Sequence, residues 1–80
     1  MDIVIYSKQG CQESEVMRDY LQNLGLRPEL RQVDGGDAAA RREWEDFDGQ
    51  VTPLMVIDHR QIVRGFDRTR VDQLIGWVGC

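Results

Sequence analysis

Eighty residues are enough for one domain, near the lower size at which a single hydrophobic core is stable alone. At 41% hydrophobic and 30% charged residues, the composition is that of a soluble globular protein. A net charge of −4, with 14 acids against 10 bases, argues against a polyanionic partner. Nucleic-acid binding needs a clustered basic face, and Arg41-Arg42 and Arg60, Arg64, Arg68 and Arg70 are interleaved with acids or spread over different segments.

In chain order, Ile3-Val4-Ile5-Tyr6 is an apolar, β-branched run that predicts a strand buried on both faces. It is too short for a signal peptide or a membrane span, so the cytoplasm is the expected compartment, with no membrane partner. After the loop Ser7–Gly10, Val16, Met17, Tyr20, Leu21 and Leu24 recur at helical spacing, and Gly25 stands where a helix stop belongs. Pro28 precedes a weaker strand over 29–33. Asp34-Gly35-Gly36 is a turn, Asp37 a predicted N-cap, and 38–47 a second helix with Ala40, Trp44 and Phe47 inward. Leu54-Met55-Val56-Ile57 is the second fully apolar strand. A tight connection leads to the more polar strand 61–64. Asp67 then caps a last helix whose stripe is Val71, Leu74, Ile75 and Val78.

The order β-α-β-α-β-β-α, with two central and two edge-like strands, predicts a four-stranded mixed sheet in order 2-1-3-4, flanked by helices, over a single domain of residues 1–80. This layout resembles the thioredoxin fold, in the α/β class.

Cys11 is the residue on which chemistry centres. It follows a central strand and a short loop and opens the first helix, where the partial positive charge of a helix N-terminus lowers a thiol pKa. Lys8 adds a nearby cation, whereas Glu13 and Glu15 act the other way. The competing structural reading is a small buried residue at a helix start, but inert buried cysteines sit among apolar neighbours. Pro53, after Val51-Thr52 and directly before a central strand, is expected at a strand's first position or in a cis turn that offers the Thr52 backbone to an extended ligand. A trans proline breaking a loop is the alternative. Gly65 allows close approach at the mouth of the last helix, and Asp67 there can serve both as cap and as ligand to a zwitterionic group.

Together these residues resemble glutaredoxins, and nearer still the small bacterial glutaredoxin-like redoxins. The motifs are Tyr6-Ser7-Lys8-Gln9-Gly10-Cys11, Gly49-Gln50-Val51-Thr52-Pro53 and Val63-Arg64-Gly65-Phe66-Asp67. The resemblance implies a glutathione groove. In it Lys8 faces a glutathione carboxylate, Arg41 the glycine carboxylate, Thr52 and Pro53 the cysteinyl backbone, and Gly65 and Asp67 the γ-glutamyl end. Two departures stand out. The usual Cys-x-x-Cys is Cys11-Gln12-Glu13-Ser14, a monothiol site with no internal resolving thiol. The first glycine of the family's Gly-Gly turn is Arg64.

Three functions follow from this. The leading one is a glutathione-dependent thiol–disulfide oxidoreductase with Cys11 as nucleophile and Ser14 beside it, acting on glutathionylated or disulfide-containing proteins as a monomer. The second is a dimeric carrier of a [2Fe–2S] cluster held by two Cys11 thiolates and two glutathiones, against which Gln12-Glu13 argues. The third is a redox-silent interaction module that keeps only the fold. No metal site is expected, because two cysteines are too few for a zinc site or a disulfide framework. Cys80 is expected not to bond Cys11. A last helix leaving the site from Asp67 carries the chain end roughly 20 Å away at its rise of ~1.5 Å per residue, beyond the ~4.4–6.8 Å between bonded cysteine Cα atoms.

Overall fold

A computed structural model describes residues 2–75 of the chain. Its elements are β1 (Ile3–Ser7), α1 (Gln12–Asn23), β2 (Glu29–Gln32), α2 (Ala38–Asp46), β3 (Leu54–Ile57), β4 (Gln61–Arg64) and α3 (Arg68–Ile75). The sheet order is β2-β1-β3-β4. β1 runs parallel to β2 and antiparallel to β3, and β3 antiparallel to β4. This is the predicted thioredoxin-fold topology. Val78 and Cys80 lie outside the described residues.

The two strands without polar alternation are the central ones. All four residues of β3 are buried, and in β1 only Val4 is partly exposed. Because successive side chains alternate, each strand feeds both faces. On one face Ile3, Ile5, Met55, Ile57 and Val63 pack with Met17 and Leu21 of α1 and Val71 of α3. On the other, Tyr6, Leu54 and Val56 pack with Val33 and with Trp44 of α2.

Helix ends follow their local chemistry. After α1, Gly25 adopts φ +84°, its N–H donates to the Gln22 carbonyl at 2.9 Å, and the Leu26 N–H donates to the Leu21 carbonyl at 3.1 Å. This is the glycine-terminated double bond that satisfies a helix's last carbonyls. Asp37 caps α2 by accepting from the Ala40 N–H at 3.1 Å, and this bond, with Arg31 beside it, holds the Asp37 carboxyl below the ordinary carboxylate range.

Three details of the periodicity need correction. Val16 and Leu24 are exposed, not inward. Val16 is turned about 100° from Met17 around the helix, since each residue advances by 1/3.6 of a turn, and Leu24 is the C-cap beyond the last helical residue. The buried stripe is Ser14, Met17 and Leu21. α2 ends one residue early, with Phe47 as its C-cap. β2 ends at Gln32, although Val33 just beyond it is buried and donates to the Ser7 carbonyl at 2.9 Å.

Candidate functional site

The loop from β1 to α1 is held from both sides. The Cys11 N–H closes back onto the Lys8 carbonyl at 3.1 Å, and Gly10 takes φ +82°, a region that favours glycine. The Gln9 N–H donates to both carboxylate oxygens of Asp34, at 3.1 and 3.2 Å. Asp34 was legible from sequence only as part of a turn. The available signal was topological: parallel β1 and β2 end at the same edge of the sheet, so the residues just past each strand meet.

Cys11 is the N-cap of α1, with extended φ −79° and ψ 99°, and is half-buried. The Thr52 hydroxyl donates to its sulfur at 3.7 Å. Partial burial is the largest influence on this thiol and raises its pKa. It is outweighed by hydrogen bonding from the Ser14 hydroxyl, the Ser14 backbone N–H and the Thr52 hydroxyl, against a further upward push from Glu13. The net result is a thiol below its ordinary pKa of 9.0. The direction agrees with expectation, and so does one agent, the Ser14 N–H in the first turn of α1; the hydroxyls of Ser14 and Thr52 are additional. The Lys8 ammonium sits over the Trp44 ring, 5.5 Å from the centroid.

The Thr52–Pro53 peptide bond is cis. The Pro53 carbonyl accepts from the Gly65 N–H at 2.8 Å, and Gly65 has φ +73°. Asp67, two residues on, caps α3 by accepting from the Arg70 N–H at 3.1 Å, and is exposed. The structure thus links Cys11 to Thr52, and Pro53 to the Gly65–Asp67 turn. Arg41 is different: its guanidinium pairs along the helix with Glu45 at 3.6 Å, and no hydrogen bond or ion pair among the described residues joins it to Cys11, Thr52 or Asp67. Arg64 reaches across to the end of α2, where it meets the Phe47 carbonyl at 3.5 Å and Asp48 at 3.9 Å.

Trp44 was read from sequence as a core residue only. It is buried, but its indole N–H donates to the Val51 carbonyl at 3.0 Å, immediately before Thr52. Among the described residues, no cluster of three or more His, Cys, Asp or Glu could hold a metal ion, and no helix is long and apolar enough to cross a membrane.

The structure is similar to that of a mutant form of the thioredoxin-like protein BC3987, with TM-score 0.82 and 32% identity over 94% of this chain and 100% of that one. It is also similar to a glutaredoxin from Methanosarcina mazei Go1 (TM-score 0.81, 16% identity, 95% of this chain and 79% of that one). A glutaredoxin from Archaeoglobus fulgidus matches with TM-score 0.75 and 16% identity over 92% of this chain and 85% of that one. No curated protein matches the chain. The Glutaredoxin family model matches residues 3–62, from β1 into β4 and across both Cys11 and Pro53. The chain belongs to the glutaredoxin family.

Proposed function

We propose that the protein is a glutathione-linked thiol–disulfide oxidoreductase working through Cys11 alone. The observation that carries this is the half-buried Cys11 sulfur at the start of α1, with the Thr52 hydroxyl directed at it and its pKa lowered. A thiolate is the attacking species in disulfide exchange. The Cys11 thiolate attacks the glutathione sulfur of a glutathionylated protein. A Cys11–glutathione bond forms, the old disulfide breaks, and the protein leaves as thiolate, which takes a proton from water. A second glutathione thiolate then attacks the glutathione sulfur on Cys11, restoring the Cys11 thiolate and releasing oxidised glutathione. Each step exchanges one S–S bond for another: over both, the substrate protein's sulfur is reduced, the incoming glutathione sulfur is oxidised, and the transferred glutathionyl sulfur keeps its oxidation state.

Ser14 replaces the second thiol of the usual motif, so no bond within the motif competes with glutathione for Cys11. In this reading Lys8 faces a glutathione carboxylate, the Thr52 backbone pairs with its cysteinyl unit beside Pro53, and Gly65 and Asp67 receive the γ-glutamyl end. Arg41 would reach the glycine carboxylate by leaving Glu45. Treatment of the reduced protein with oxidised glutathione, followed by mass spectrometry, is expected to place one glutathionyl group on Cys11. Cys11→Ser is expected to abolish that adduct. An unmodified Cys11 would sink the proposal and leave the redox-silent reading.

A further inference from the structure

We propose that Trp44 is a positioning residue for this reaction, its indole setting Lys8 on one side of the groove and the Val51–Thr52 backbone on the other. The inference rests on the function proposed above. Trp44 lies in α2, contributed by neither the Cys11 loop nor the Pro53 loop, yet it touches both. Its ring face receives the Lys8 ammonium at 5.5 Å from the centroid, within the reach of a cation–π contact. Its ring edge donates the indole N–H to the Val51 carbonyl at 3.0 Å. That carbonyl belongs to the peptide unit leading into Thr52, whose hydroxyl meets the Cys11 sulfur.

The chain leaving α2 is fitted to this indole. A Cβ on Gly49 would collide with the Trp44 ring and with the Trp44 carbonyl oxygen, so the backbone passes the ring with no room for a side chain. Val51 is then held exposed at the surface beside Thr52, and Pro53 turns back into the buried sheet. The indole is a rigid plate buried on the sheet side, and its two polar contacts face the two loops. Phenylalanine keeps an aromatic face under Lys8 and most of the apolar packing, but it has no N–H to give Val51. That difference separates positioning from packing.

The test uses Trp44→Phe and Gly49→Ala in a Cys80→Ser background, so that Cys11 is the one thiol. Two readouts are taken: the pH profile of Cys11 alkylation, and the KM and kcat for a glutathionylated peptide. Trp44→Phe is expected to raise KM about fivefold, the scale of one lost hydrogen bond, and to move the alkylation profile to higher pH because the Thr52 hydroxyl loses its alignment. Gly49→Ala, which displaces the indole, is expected to shift the profile in the same direction; failure of this variant to fold would leave Trp44→Phe as the deciding protein. A Trp44→Phe protein with lowered thermal stability but wild-type KM and profile would overturn the proposal, since that is what a purely structural tryptophan predicts. If wild-type protein fails to turn over the glutathionylated peptide, the oxidoreductase reading falls on its own. The alkylation profile then still decides whether Trp44 positions Thr52.

Discussion

The Ser14 hydroxyl is buried one turn after Cys11, and among the described residues its one partner is the Cys11 sulfur, which it approaches without reaching close hydrogen-bond geometry. An unsatisfied buried hydroxyl costs about 1–3 kcal/mol, and the natural acceptor beside it is an ionised Cys11 sulfur. Ser14 therefore costs stability when Cys11 is a thiol and returns it when Cys11 is a thiolate. The sign of the pH dependence follows. A folded-state thiol pKa below the ordinary 9.0 contributes stability that is fully present above 9.0 and lost as pH falls through the folded value. Ser14→Ala is expected to alkylate at Cys11 about fivefold more slowly at neutral pH, the loss of one hydrogen bond to a charged acceptor. Its stability relative to wild type should be equal or higher at mildly acidic pH and lower above 9.0. Denaturant titrations at several pH values check this, and a stability difference independent of pH would refute it. Asp34 acts on the backbone: its carboxylate holds the Gln9 N–H, not a catalytic group, and gives the loop before Cys11 its shape.

Among the elements, α1 shows how much of the molecule is legible in sequence and where legibility stops. The strands were readable because a continuous apolar run admits one arrangement, buried on both faces, and β3 and β4 fall on the predicted residues. The helix was readable in extent but not fully in facing. Val16 and Met17 are adjacent and both apolar, so periodicity could not say which one the sheet receives. Packing decides for Met17, with Leu21 one turn on, and the small Ser14 fits where the helix start approaches the sheet. Leu21→Ala is accordingly expected to destabilise by about 2–5 kcal/mol, as large-to-small changes in a packed core do. Val16→Ala should stay within about 0.5 kcal/mol of wild type, as surface changes do. Chemical denaturation of the two variants checks the contrast, and equal costs would mean that the helix is rotated from the facing described. Backbone geometry was legible where one residue type is forced, as at Pro53 and Gly65. The resemblance brought the Thr52–Pro53 turn to Cys11, but the hydroxyl bond to the sulfur and the indole bond from Trp44 to Val51 were not legible. Such contacts have no sequence spacing to betray them.

At the scale of the whole molecule, the remaining question is whether two chains could share an iron–sulfur cluster through Cys11. Such an assembly brings two copies face to face at the start of α1 and holds a cluster whose thiolate ligands already carry negative charge. Each copy would present exposed Gln12, Glu13 and Glu15 from the first turns of that helix. Glu13 is close enough to Cys11 to push its pKa upward in the single chain, so its field is felt at the sulfur itself. The two Glu13 carboxylates would then be brought close to the cluster, on chains that each carry a net charge of −4. Like charges brought together in a partly desolvated contact repel more strongly than they do in water. Gln12 and Glu13 also add exposed bulk directly after each Cys11. Purified protein is therefore expected to be colourless, and to remain monomeric after anaerobic incubation with iron, sulfide and glutathione. Removing the charge should weaken the barrier: Glu13→Gln with Glu15→Gln is expected to take up more cluster than wild type under the same conditions, without reaching one cluster per two chains because the bulk remains. Absorbance in the visible range and size-exclusion chromatography read both effects. A stable brown wild-type dimer that depends on glutathione would overturn the prediction and favour the carrier function over the oxidoreductase.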